Sequence, residues 1–338
     1  MARNLRVAGT LHGEGDIGLH RCALFLACST AFLIFVGGLV TSNEAGLSVP
    51  DWPTTYGWNM FTFPYSKWVG GIFYEHGHRL VASFVGFLTV ILTVWIHLKD
   101  RRIWVRRLSL VALAAVIAQG ILGGLTVRYS LPASISMTHA CLAQTFFCLT
   151  IALALFTSPG WKRGLPVVKE RHASLRLPVL CALTTAAVYL QLLLGALMRH
   201  TRSGLSIPDF PLAFGRVIPP FESYHVGIHF AHRVGALAVT AMIVWTLVRI
   251  RTWRREHSLL IRPATAMFVL VWIQLTLGAF TVWTEKSVMI TTAHVATGAL
   301  VLGASVLLTL RAYSMVREWE PAFFKSRDGV YDLGSREA

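Results

Sequence analysis

The sequence predicts an all-α polytopic membrane protein, with eight transmembrane helices forming two repeated four-helix bundles and both termini in the cytoplasm. Three observations lead there. Of the 338 residues, 54% are hydrophobic and only 14% charged, too apolar for a soluble chain of this size. Eight apolar runs reach the roughly 20 residues a helix needs to cross a hydrocarbon core. The two halves of the chain also repeat one another, motif for motif.

The runs fall at 22–42, 74–98, 106–127, 134–157, 175–198, 226–248, 263–284 and 288–312. The first lacks the small-residue ending of a cleavable signal and reads as a retained span. The formal net charge is +15. With a cytoplasmic N-terminus, the inner segments 1–21, 99–107, 158–176, 249–262 and 311–338 hold 23 of the 31 Lys and Arg residues. This positive-inside bias fixes the orientation. The basic residues sit in short turns between spans and not along one continuous surface, which excludes a nucleic-acid partner. The expected division is a cytoplasmic segment at 1–21, an N-terminal bundle at 22–157, a cytoplasmic linker at 158–174, a C-terminal bundle at 175–312 and a cytoplasmic tail at 313–338. Pro159 and Gly160 are the expected helix breakers of the linker.

GGLVTSNEAGLSVPDWPTTYG at 37–57 matches GALMRHTRSGLSIPDFPLAFG at 195–215, at an offset of 158. EHGHRLVA at 75–82 matches HFAHRVGA at 229–236. Gln119 to His139 then parallels Gln274 to His294, each stretch carrying Leu-Gly-x-x-Thr-Val before its histidine. Fixed-offset similarity of this kind marks a duplication. Each half has an even number of spans, so both share one orientation and form a parallel repeat.

Four histidines take matching places: His78, His139, His232 and His294. Each lies in the first turns of an even-numbered span, at the expected outer side. Each half thus offers two imidazoles at one depth, the arrangement that holds a haem between helices of a bundle. Ionisable residues in a membrane are costly and mark function. Zinc is disfavoured, because no Cys or carboxylate sits beside all four to complete a tetrahedral shell. Small residues nearby (Gly77, Ala82, Gly123, Gly124, Ala140, Gly235, Ala236, Gly278 and Ala293) would admit a flat macrocycle. Arg79 and Arg233 follow two of the histidines and are candidate partners for haem propionates. Glu75 lies one turn before His78, whereas its counterpart is His229, so the two sites differ in chemistry. His76, His225 and His229 read as solvated or supporting groups at the outer surface. The five cysteines (Cys22, Cys28, Cys141, Cys148 and Cys181) fall in or beside the spans and read as small buried residues.

These features resemble the haem A synthase family, the bacterial and mitochondrial cytochrome oxidase assembly proteins. The carriers are Glu75-x-x-His78-Arg79, His139, His232-Arg233, His294 and the duplicated Gly-Leu-Ser-x-Pro-Asp-aromatic-Pro loop, over residues 20–312. The resemblance implies oxidation of a haem O methyl group to a formyl group by successive hydroxylations, giving haem A for terminal oxidase assembly in the cell (inner, cytoplasmic) membrane. It implies haem O near His78, His139 and Arg79, a resident haem b on His232 and His294 with Arg233 beside it, and Glu75 as the catalytic carboxylate. Expected partners are haem O synthase, an electron acceptor and the lipid bilayer, with a homo-oligomer left open. One departure is that residues 43–73 lack the cysteine pair many bacterial relatives carry there.

A di-haem b-type electron-transfer protein would use the same four histidines, and Glu75 in one half alone argues against it. A transporter of parallel repeats would place charges at mid-membrane, where none is found. Trp52, Trp58, Phe61, Phe63 and Tyr65 in the first outer loop, and Phe210, Phe214 and Phe221 in the second, are candidate lids over the haem sites or interfacial anchors. Asp51 and Asp209 are expected to fix loop turns.

Overall fold

The computed structural model describes residues 17–170, 175–253 and 258–318. The expectations for residues 1–16, 171–174 and 319–338 lie outside the described residues. Eight long apolar helices are present: α1 (Ile17–Ser42), α2 (Gly71–Lys99), α3 (Ile103–Arg128), α4 (Ala133–Thr157), α6 (Leu177–His200), α7 (Tyr224–Trp253), α8 (Ser258–Trp283) and α9 (Val288–Met315), with the one-turn α5 (Pro159–Lys162) between the halves. The shortest of the eight has 24 residues. At 1.5 Å per residue that is about 36 Å, longer than the roughly 30 Å hydrocarbon core. All eight anticipated spans are therefore found, several of them extended by up to one turn or more.

Helices α1 and α3 each pack against α2 and α4, closing one four-helix ring, and α6 and α8 each pack against α7 and α9 to close a second. The rings meet where α9 lies against α1 and α4, and α4 against α6. At that seam the backbones come close. A Cβ on Gly38 of α1 would stand 3.1 Å from Thr292 Cγ2 of α9, and one on Gly303 of α9 would stand 2.7 Å from Ile151 Cδ1 of α4. Small residues of this kind let membrane helices approach and gain dispersion contacts that lipid cannot supply. Polar groups also cross the seam: Tyr189 lies 2.8 Å from Thr145, and Thr292 donates to Ser42 at 3.1 Å.

Each ring has its own apolar core. One gathers Leu19, Leu26, Val85, Leu92, Ile96, Val105, Phe146 and Leu153; the other gathers Leu177, Val188, Ile243, Ile250, Leu260, Met267, Leu302 and Leu308. Both cores are built mainly from the halves of the helices remote from the histidines.

The connections at the histidine end are of two kinds, and each kind occurs twice. α3 turns into α4 through Ser130 and Leu131, both at positive φ, and α8 turns into α9 through Glu285 and Lys286, likewise. Leu131 N–H returns to Thr126 O at 2.7 Å and Lys286 N–H to Thr281 O at 2.8 Å, left-handed stops that close each helix with a 6→1 bond. The longer loops join α1 to α2 and α6 to α7.

α4 ends at Thr157, with Ser158 extended, and Pro159 then opens the one-turn α5, with the Ser158 hydroxyl accepting from Trp161 N–H. A proline is favoured there because that N–H has no helical acceptor to lose. Val168–Glu170 then forms a short parallel pair, β1 and β2, with Val316–Glu318 beyond α9. The Glu170 carboxylate accepts from Leu177 N–H and from Arg249, anchoring the start of α6.

Candidate functional site

The four histidines stand on α2, α4, α7 and α9, each within the first nine residues of its helix. At 1.5 Å per residue they share a level roughly 10–13 Å below the helix starts. His78 and His139 are near enough to interact electrostatically, as are His232 and His294. The structure therefore pairs them as expected, one pair per ring.

What positions each ring is a glycine on the neighbouring helix. A Cβ on Gly37 of α1 would stand 3.2 Å from His78 Cε1, on Gly123 of α3 3.4 Å from His139 Cε1, on Gly195 of α6 3.1 Å from His232 Cε1, and on Gly278 of α8 3.2 Å from His294 Cε1. Each imidazole lies against bare backbone, so its tilt is limited by the partner helix. Gly123 and Gly278 are among the small residues expected at the site. Gly37 and Gly195 were not singled out, although both open the duplicated loop motif and the 158-residue offset pairs them.

The ring nitrogens are partnered unequally. His294 Nδ1 lies 3.1 Å from the Gln274 carbonyl oxygen, and its Nε2 lies 3.3 Å from the Gln274 side-chain amide nitrogen. His232 Nδ1 lies 3.1 Å from the Gln191 amide nitrogen. Among the described residues, Nδ1 of His78 is buried without a hydrogen-bond partner, whereas His139 has the backbone of Gln119 beside its ring. All four histidines keep some accessible surface despite sitting inside the rings. Among the described residues no cluster of three or more His, Cys, Asp or Glu side chains could hold a bare metal ion. Two facing imidazoles do suffice for an iron whose other four ligands come from a porphyrin, so the donor set fits haem and does not fit zinc.

Glu75 is 4% exposed and fully engaged: Oε2 accepts from Val49 N–H at 2.7 Å, and Oε1 accepts from Arg79 at 2.8 Å. His229, its counterpart, receives Ile207 N–H on Nδ1 at 3.2 Å. A side chain at this position thus secures the same loop amide in both halves, by a carboxylate in one and an imidazole in the other. The arginines are also drawn to the loops. Arg79 donates to the carbonyls of Asp51, Thr54 and Val49 at 2.7, 3.0 and 2.9 Å. Arg233 donates to those of Leu212, Asp209 and Ile207 at 2.8, 2.7 and 3.2 Å. Four of the five N–H groups of Arg79 are therefore committed to the loop and to Glu75.

Asp51 accepts from Tyr56 and Gly57 N–H at 2.7 and 2.9 Å, and Asp209 from Phe214 and Gly215 N–H at 2.7 and 2.8 Å. They fix turns, as expected. Partial burial of Asp51 works against its charge, but the bonds from Gly57, Thr54 and Tyr56 prevail and hold its carboxyl below the usual range. For Asp209 the bonds from Gly215 and Phe214 lower it.

The loops reach across their rings. A Cβ on Gly124 of α3 would stand 2.5 Å from the Trp52 indole, so the α1–α2 loop extends to the diagonally opposite helix. Phe210, the matching residue, packs edge-on against Trp283 at the end of α8, 6.0 Å between centroids. His76 is fully buried among Phe63, Trp68 and Thr55, and His229 is 3% exposed, so of the two alternatives both are supporting groups and not solvated ones. His225 is half-buried, with Nδ1 2.9 Å from Ser203 Oγ. Cys28 is exposed on the apolar face of α1, unlike the buried Cys181.

Fold and site together define a polytopic helical membrane protein with two interior histidine pairs at one end. The family of cytochrome oxidase assembly proteins (COX15-CtaA) matches residues 20–306, and the chain belongs to it. Similar curated proteins include the haem A synthases of Halalkalibacterium halodurans (28% identical, over 93% of this chain and 96% of the relative), Symbiobacterium thermophilum (29%, over 76% and 84%) and Novosphingobium aromaticivorans (27%, over 86% and 93%).

Proposed function

We propose that this chain oxidises a methyl group of haem O to the formyl group of haem A, at the site flanked by His78, His139 and Glu75. The observation that carries the reading is the four-histidine level itself: two imidazole pairs, each ring seated on a glycine, in a chain of this family. Converting methyl to formyl with water as the oxygen source releases four electrons and four protons, and no side chain accepts electrons. A haem b between His232 and His294 supplies one-electron relay chemistry when bound, passing electrons toward an external acceptor.

The protein's own groups do the rest. His78 and His139 orient the substrate macrocycle between α2 and α4. Glu75, held by Val49 N–H and Arg79, presents a fixed carboxylate that takes a proton from attacking water and stabilises positive charge at the methyl carbon. Arg79 and Arg233 act chiefly by fastening the outer loops, which keep bulk water from the reacting carbon. Matching loop bonds, matching turns and sequence offsets of 154–158 residues support descent of residues 22–157 and 175–312 from one ancestral bundle. The basic bias supports cytoplasmic termini, with the haem level toward the outer side of the cell membrane. Haem O synthase is the expected source of so apolar a substrate.

The test is chromatography of haems extracted from a host lacking haem A, with haem O synthase expressed beside this chain. Haem A that appears only with this chain, as haem O falls, establishes the activity. A folded, haem-loaded protein with haem O unchanged overturns it in favour of a di-haem electron carrier.

A further inference from the structure

Near its loop end, α6 carries a cation that no acid meets. Leu192, Gly195 and Arg199 recur at helical spacing and so share one face of α6. That face lies against both helices of the second histidine pair. A Cβ on Gly195 would stand 3.1 Å from His232 Cε1, and one on Gly298, a turn beyond His294, would stand 2.9 Å from Leu192 Cδ2. Arg199 follows Gly195 by one turn, about 6 Å nearer the loops. It is half-buried, and its head group turns sideways across the seam. There Nη2 donates to Ser42 Oγ of α1 at 3.4 Å, an oxygen that also accepts from Thr292, two residues before His294, at 3.1 Å. Among the described residues, Arg199 has no carboxylate partner.

A guanidinium held between membrane helices loses hydration, and charges so placed are paired. The ordinary escape is to snorkel into interfacial water. Here the head group instead meets one hydroxyl, which carries no charge and lies at the weak limit of a hydrogen bond. Arg233, the other arginine near this pair, gives both terminal nitrogens to loop carbonyls. A porphyrin gripped by His232 and His294 brings two carboxylates on one edge, and Arg199 stands one turn from the glycine that seats His232. The first half offers no such group. The 158-residue offset puts Thr41 in the corresponding place, its hydroxyl turned back to the Gly37 carbonyl at 3.0 Å.

We propose that Arg199 binds a propionate of the haem b held by His232 and His294, and that Thr41 leaves the His78–His139 site without that anchor. The inference rests on the functional reading above and deepens it, since a resident carrier must stay bound whereas a substrate must leave each turnover. A cation at the propionate also opposes the positive charge of ferric iron, so it holds the haem b potential up.

The experiment uses detergent-purified full-length protein with its haem b, and follows haem transfer to excess apomyoglobin together with the haem b midpoint potential. Arg199→Met keeps the bulk and loses the charge. It is expected to speed haem loss by about 10–100-fold. It should also favour ferric over ferrous haem by about tenfold, which lowers a one-electron potential by about 59 mV. Arg199→Gln repeats the test where methionine impairs folding. Arg199→Lys keeps the charge and should hold the potential near the parent's, a rescue that a packing role would not require. Ser42→Ala removes the hydroxyl that Arg199 meets across the seam and should leave both readouts at parent values. Monodisperse Arg199→Met or Arg199→Gln protein with the parent rate of haem loss and the parent potential overturns the proposal. So does a Ser42→Ala protein that matches them in loss and potential, because Arg199 would then act by tying the rings together. A parent protein that binds no haem would instead defeat the functional reading.

Discussion

At the scale of single residues, the site depends on the two histidine pairs and on the groups packed against them. Replacing His232 or His294 with leucine is expected to abolish the haem b spectrum, read by visible spectroscopy of the purified protein. A retained spectrum in both variants would move the resident haem to the other pair. Glu75→Gln keeps the shape but loses the base, so haem A formation should fall by about 10²–10⁴-fold. Normal haem A output from that variant would confine Glu75 to its loop bond with Val49. Gly195→Val places a branched side chain where a Cβ alone would stand 3.1 Å from His232 Cε1 and should eject haem b. Gly86→Val is the control, since its Cβ would meet nothing within 4 Å.

At the scale of elements, the outer loops are the parts most open to manipulation. Arg79 fastens three carbonyls of the first loop, and Arg79→Ala should free it. Tryptic cleavage after the exposed Lys67 is the readout, and Arg79→Lys should rescue it only in part, because an ammonium cannot span the same fork of acceptors. Asp51 gives this loop a pH dependence whose sign follows from its lowered carboxyl. A depressed acid stabilises the fold above its unfolded value and loses that contribution as pH falls through the folded one. The loop should therefore resist protease unchanged from neutral pH down to the ordinary aspartate range, near pH 4, and loosen below it. Asp51→Ala should show the looser behaviour at every pH.

At the scale of the whole molecule, the seam between the rings is the vulnerable feature, because lipid offers no hydrophobic penalty for pulling helices apart. Gly38→Leu would press on Thr292, and Gly303→Leu on Ile151 and Phe147. Each overpacking change should cost about 1–3 kcal/mol, measured as a lower melting temperature in detergent, with haem b lost in the same transition. Unchanged melting in both would mean that the rings hold together without this close approach.

The spans, the positive-inside bias, the repeat and the four histidines were legible in the chain because each is a local or periodic property: run length, charge count, fixed offset. The difference between Glu75 and its counterpart His229 was visible for the same reason. The partners of those residues were not. Arg79 and Arg233 read as candidate propionate partners or interfacial groups, and nothing local in the chain announced that the loops fold back and take up guanidinium donors of both. For His76 and His229 the choice between solvated and supporting stayed open, because nothing nearby in sequence announces the aromatic and loop packing that buries them. Such roles depend on which atoms come within 3 Å across helices, and only packing in three dimensions sets that.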